Sequence, residues 1–356
     1  MSKSARPLDY LSYLKIDELL TLQDPISFKG AKPAHDEMMY IVLHQAYELW
    51  FKLIIFELES VIAILDHESV DERDITRCVA RFKRMSAVQQ LLLQQFQVLE
   101  TMTPLDFLDF RGLLGSASGF QSFQFRLLEN RIGIDPALRL NYGNMTYSKC
   151  FEPAKEKQLV DSEKQPSLFS VLEKWLARTP FLDQGDFHFL ESYEKAVLKM
   201  LGTEVPLSSH DGSSYAAQPS AAATSAFYTQ EQYEKLRASG AKRLSWRATL
   251  AALFISLYRD EPILHQPFRL IESIIDFDEN FALWRYKHAL VVHKMLGKRT
   301  GTGGSSGFDY LRATVEKHRV FSELFDVATL LIPRSDLPDI PEVLKKRLDF
   351  RYSSVD

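Results

Sequence analysis

His44 and Glu48 stand four residues apart in His44-Gln45-Ala46-Tyr47-Glu48, so a helix brings an imidazole and a carboxylate to one face. That pair suits non-haem iron, but no comparable His and carboxylate pair on a second helix completes a site. HExxH is absent, as are the Glu-x-x-His pairs of di-iron bundles. The bland alternative for His44 is a core histidine whose donor nitrogen is hydrogen-bonded. His288 ends Trp284-Arg285-Tyr286-Lys287-His288, and His293 follows five positions on, roughly 140° round a helix, so the two do not easily share one ion. A lone neutral imidazole among aromatic helical residues suits the axial position of a b-type haem, and suits a structural histidine equally. Arg111 follows Asp106-Phe107-Leu108-Asp109-Phe110. A guanidinium beside aromatic rings offers a two-pronged grip on an amphiphilic carboxylate, or a salt bridge to Asp106 or Asp109. The run from Gly301 to Gly307, GTGGSSG, presents amides and hydroxyls to an anion, or is a flexible connector. It lacks the Gly-Lys-Ser/Thr of a phosphate loop and follows a helical pattern where a dinucleotide fingerprint follows a strand. Gly115 to Gly119 places Ala117 where a serine nucleophile elbow needs serine.

The elements that must position these residues are helices. Apolar residues recur at helical spacing over 10–20, 36–65 and 71–99, with further helices expected over 105–114, 120–130, 167–177, 187–201 and 229–239, and then over 245–258, 267–298, 308–316 and 320–330. Strand-like alternation is almost absent, so the expected class is all-α. The helix over 36–65 is apolar nearly all round, which predicts a central, fully packed element. Residues 208–225 are rich in Ser, Ala, Gly and Pro with no helical stripe. They read as an exposed inserted loop, about 205–228, within one domain spanning 1–356.

Composition narrows the function classes. Of 356 residues, 46% are hydrophobic, enough for a large core. The 43 Lys and Arg against 47 Asp and Glu leave a net charge of -4, too balanced for a nucleic-acid or anionic-membrane surface. Cys78 and Cys150 form no CxxC or Cys/His cluster, which argues against a disulfide framework or thiolate zinc and fits a reducing cytoplasm. No secretory signal pattern precedes Tyr10. The most apolar stretch, 38–56, contains His44, Gln45, Glu48 and Lys52, which a lipid-facing span rarely tolerates.

Longer strings carry a resemblance. His35-Asp36-Glu37 running into His44-Gln45-Ala46-Tyr47-Glu48-Leu49-Trp50, then Ser118-Gly119-Phe120-Gln121-Ser122 with Gln124-Phe125-Arg126, then Trp284-Arg285 before His288 and GTGGSSG, resemble the tryptophan 2,3-dioxygenase family. The resemblance runs from Tyr10-Leu11-Ser12-Tyr13-Leu14 to Leu331-Ile332-Pro333-Arg334, and 101–107 and 242–267 are most similar to its animal-type branch. It implies an all-helical homotetramer with a b-type haem in each subunit, ferrous when active. The implied reaction inserts both atoms of O2 across the indole C2=C3 bond of L-tryptophan, giving N-formyl-L-kynurenine. The alternatives are insertion of one oxygen into a modified indole, and a non-catalytic haem or tryptophan sensor.

The implied roles transfer by position. His288 is the axial ligand of the iron, with Trp284 and Tyr310 beside it, Arg126 near a haem propionate and Ser118 in the haem pocket. His44 accepts the indole N–H, and Arg111 takes the substrate carboxylate with help from Thr302. Tyr10 and Tyr13, on an N-terminal arm of about 1–25, reach the pocket of a neighbouring subunit. Phe107 lines the substrate side and agrees with the animal-type pattern. Tyr40 departs from the family, which usually has phenylalanine there, and adds a hydroxyl one turn before His44.

Overall fold

The computed structural model describes residues 8–115, 117–140, 146–185, 187–201, 229–297, 299 and 307–350. The inserted loop expected over 205–228 and Thr302 lie outside these residues. Among the described residues the only sheet is a short antiparallel pair, β1 (Asp183–Gln184) and β2 (Phe187–His188). The rest is helix and turn, as the apolar spacing predicts.

The chain enters through α1 (Tyr10–Leu14) and α2 (Ile16–Leu19), one expected helix broken in two where Lys15 takes a left-handed conformation. Then come α3 (Asp36–Leu65) and α4 (Glu72–Leu99). The Asp71 side chain caps α4 by accepting from the Asp74 amide, which supplies one of the donors that a helix start leaves unpaired. Thr103 and Asp106 form a capping box on α5 (Pro104–Arg111), with Pro104 at the position where a missing N–H costs nothing. A single 3-10 turn, Gly119–Gln121, leads into α6 (Phe123–Ile132). Gly133 ends α6 at φ 100°, and a Cβ there would lie 2.6 Å from Ser167 Oγ, so glycine is needed for both the turn and the close approach.

The remaining elements are α7 (Pro153–Ser162), α8 (Leu168–Ala177), α9 (Phe189–Leu201), α10 (Gln230–Ala238), α11 (Trp246–Leu257), α12 (Pro262–Leu296), α13 (Gly307–Lys317), α14 (Ser322–Asp326) and α15 (Glu342–Leu348). The start of α12 corrects the expectation of 267. Pro262 opens the helix and Pro267 lies inside it, near enough to the N-terminus to be accommodated. Likewise 187–188 pair as β2 before α9 begins, and 320–330 divides into α14 and a 3-10 turn, Val327–Leu330.

At the centre α4 lies between α3 and α12, α13 packs along α12, and α6 packs on α3. Phe82, Phe96 and Phe277 are fully buried between the long helices, and every residue from Ala248 to Ile255 of α11 is buried. Nearly all the buried hydrophobic residues form one contiguous cluster, with Leu159 and Ala289 outside it. One expectation fails here: α3 is not covered all round. Met38, Val42, Leu49 and Phe56 are exposed along one side, with Phe56 at 70%. Among the described residues no helix is long and apolar enough to cross a membrane.

Candidate active site

The polar residues of α3 and α12 lie on either side of one cavity of about 260 Å³. A single water needs roughly 10–15 Å³, so this space suits a large organic group. Tyr40, His44, Phe107, Arg111, Ser118 and Arg126 line it, and so do Trp284, His288 and Tyr310. Most expected site residues thus converge from five helices and one turn, although nearly 250 positions separate His44 from His288 in the chain. Tyr10 and Tyr13 do not. Each is 71% exposed on α1, which buries none of its residues.

His44 Nδ1 lies 2.7 Å from the Tyr40 carbonyl. A carbonyl only accepts, so Nδ1 carries the proton and Nε2 is left as an acceptor. Burial pushes the His44 pKa down, more than the Tyr40 carbonyl and Glu48 raise it, which favours the neutral ring. The Tyr40 ring sits over it at 4.0 Å between centroids, and the Tyr40 hydroxyl has no hydrogen-bond partner among the described residues. Glu48 accepts from Gln124 Nε2 at 3.1 Å, and no group of three metal-ligating side chains occurs among the described residues. The non-haem iron reading therefore gains no support.

His288 is buried among Phe96, at 6.1 Å, and Trp284, at 5.2 Å. Burial, then His44 and Arg285, lower its pKa to about 4. Its imidazole makes no hydrogen bond to a described residue, so a neutral nitrogen pair sits unused beside an apolar cavity. Trp284 packs against Tyr47, Phe51 and Phe125, and its buried indole N–H meets hydrogen-bond geometry with no described residue, the nearby Tyr47 hydroxyl included. Such orphaned groups are rare in protein interiors and call for an explanation.

Arg111 closes α5, facing the cavity, while the Asp106 carboxylate is occupied by Thr103. Ser118 combines two tasks: it lines the cavity and caps the 3-10 turn, its hydroxyl accepting from the Phe120 amide at 3.4 Å. Tyr310 meets Phe120 edge-on at 4.9 Å.

Of the charged group at the cavity, the sequence pointed to Arg126 but not to Arg285 or Glu129. Arg285 lines the cavity one turn before His288, and its guanidinium lies over the Phe125 ring at 5.1 Å. Arg126 and Arg285 both bond to Glu129, at 2.9 and 2.8 Å. The signal was available: Glu129 falls on the face of α6 that carries Phe125 and Ile132, and Arg285 on the face of α12 that carries Phe281 and His288. A charge on the apolar face of a helix is expected to have a buried partner.

The residues present fit a haem. They offer one unbonded neutral imidazole, flat aromatic walls, and two buried cations lining the cavity that suit carboxylate side arms.

Comparison with known proteins identifies the family. Residues 1–331 match the family model described as tryptophan 2,3-dioxygenase. The chain is 42% identical to the tryptophan 2,3-dioxygenase of Bdellovibrio bacteriovorus, over 97% of this chain and 99% of that protein. It is 42% identical to the Xenopus laevis enzyme of that name, over 96% of this chain and 86% of that one, and 41% identical to the Mus musculus enzyme over the same shares. The chain belongs to the tryptophan 2,3-dioxygenase family.

Proposed function

We propose that this protein is a haem-dependent tryptophan 2,3-dioxygenase, converting L-tryptophan and O2 into N-formyl-L-kynurenine. The observation that carries the reading is the cavity itself: two neutral imidazoles on different helices, one of them without a hydrogen bond, beside an arginine.

His288 would hold the b-type haem iron, with Trp284 and Tyr310 packed around that side. Arg126 and Ser118 would meet the rest of the group. When bound, the ferrous haem supplies the activation of O2 that lets it react with the indole C2=C3 bond. His44 Nε2 accepts the indole N–H, because Nδ1 is already committed to the Tyr40 carbonyl. Arg111 binds the substrate carboxylate, joined by Thr302, and Phe107 and Tyr40 flank the ring. Fixing the substrate at both ends orients C2=C3 and excludes water, and orientation of this kind accounts for a large share of a reaction barrier. A pocket that pairs both the carboxylate and the N–H rejects analogues lacking either, since its own polar groups would be left unpaired. Both oxygens end in the product, so no external reductant is consumed.

The single domain would work as a homotetramer in the cytoplasm, Tyr10 and Tyr13 of one subunit completing the pocket of the next. Their exposure, and that of the apolar side of α3, supports this.

Reduced protein mixed with L-tryptophan and isotopically labelled O2 tests the reading. N-Formylkynurenine carrying two labelled oxygens is expected. A singly oxygenated indole would move the protein to the mono-oxygenating alternative, and tryptophan binding without product would make it a sensor.

A further inference from the structure

Glu129 is 1% exposed, yet four cationic or hydrogen-donating side chains converge on it. Its Oε2 accepts from Arg126 at 2.9 Å and Arg139 at 3.3 Å, and its Oε1 from Arg285 at 2.8 Å. His318 Nδ1 lies 3.3 Å from the same Oε1. Burial alone would raise the Glu129 pKa, but Arg126 and Arg285 hold it well below the usual carboxylate range. Arg139 also bonds Asn130 and stacks on Tyr147 at 4.0 Å, so it is anchored away from the cavity. Arg126 and Arg285 are different. Both line the cavity, they come from α6 and α12, and they share one carboxylate.

We propose that Glu129 is a positioning residue: holding Arg126 on one oxygen and Arg285 on the other, it fixes two cavity-lining guanidiniums as a paired receptor for the carboxylates of the cofactor. The same contact ties that receptor to α12, the helix that carries His288. Two reasons favour a receptor over a purely structural ion pair. Three guanidiniums gather round this one carboxylate, so the cavity-facing pair retains positive charge in a low-dielectric setting. A guanidinium already held in place loses less freedom when it binds a further anion. The inference rests on the haem reading above.

The test compares loss of haem with loss of its dimethyl ester, which has the same ring and iron but no carboxylates. Each form is loaded into the full-length protein and captured by an excess of a haem-free acceptor, and dissociation is followed by absorbance. Wild type should release the ester about tenfold faster than haem, or more, the loss expected for one or more charge-assisted bonds. In E129Q the ratio should fall towards one. A structural role would speed both losses alike and leave the ratio unchanged, and that result in folded E129Q overturns the inference.

E129Q strands buried guanidiniums, so R285M and the double variant E129Q/R285M are measured alongside. R285M should lower the ratio in part, through loss of one cation, and the double variant should lower it further because Arg126 is then unclamped. A double variant that keeps the R285M ratio also overturns the inference. A wild type that takes up no haem fails the haem reading itself, which separates the two outcomes.

Discussion

Tyr47, Phe51 and Phe96 turn their rings inward and are buried around the cavity, whereas Tyr10, Tyr13, Leu11 and Leu14 present similar chemistry to solvent. The cavity wall is held by ring-on-ring packing, as in Phe107 against Phe110 at 5.4 Å and Trp284 against Phe125 at 5.1 Å. The arm is held differently. The amides of Ile26 and Ser27 each donate to Glu37 at 2.8 Å, and Gln45 donates to the Leu22 carbonyl at 3.0 Å. A few hydrogen bonds of about 1 kcal/mol each fasten it, and most of its apolar side chains stay exposed, with Ile16 and Leu19 only half-buried. One chain therefore builds the walls of the cavity and leaves the arm's apolar residues exposed, the surface that the proposed neighbouring subunit would cover.

The comparison breaks most readily in the core. Phe277→Ala empties a fully buried site against Phe82 and should lower unfolding free energy by about 3–5 kcal/mol. An unshifted denaturation midpoint would show that the long helices are not the stabilising unit. Arg111→Ala should reduce kcat/KM for L-tryptophan by roughly 10- to 150-fold, the loss of one charge-assisted contact of about 1.5–3 kcal/mol, mainly through KM. Unchanged saturation kinetics would remove Arg111 from substrate binding.

Tyr13→Ala sharpens the contrast. Stability should move by less than about 0.5 kcal/mol while KM rises, and the reverse pattern would place Tyr13 with the core. The smallest effect concerns pH. Burial lowers the His318 pKa from 6.5, against the pull of its Glu129 hydrogen bond. The unfolded chain then binds more protons as the pH falls below 6.5, so this contribution to stability is intact above that value and is lost towards the lower folded pKa. His318→Gln should flatten the decline below pH 6.5, and a profile parallel to wild type would contradict this.

The bounds of α3, and those of α4 to within one residue, were legible because long apolar periodicity coincides with the Asp71 cap. Helix α7 was missed because Pro-Ala-Lys-Glu-Lys-Gln-Leu-Val-Asp-Ser offers almost no apolar face, and only Leu159 and Ser162 are buried. Helix α15 hides in the same way, with Leu344 and Leu348 its only buried residues. In the site, His44, Arg111 and His288 each had a structural alternative when read alone. What separates the readings is their meeting in one cavity, which depends on how α3, α5 and α12 pack and is not written in any one segment. Family resemblance supplied that convergence in advance, but it did not point to Glu129 or Arg285, whose roles depend on contacts between α6 and α12.

The most direct test of the account loads wild type and His288→Ala with haem and measures the haem-to-chain ratio and absorbance spectrum of each. Wild type should hold about one haem per chain, as expected of a single axial imidazole. His288→Ala should remain folded and come through purification without it. Equal haem content and identical spectra in the two proteins would contradict the assignment of His288, and with it the reading of the cavity.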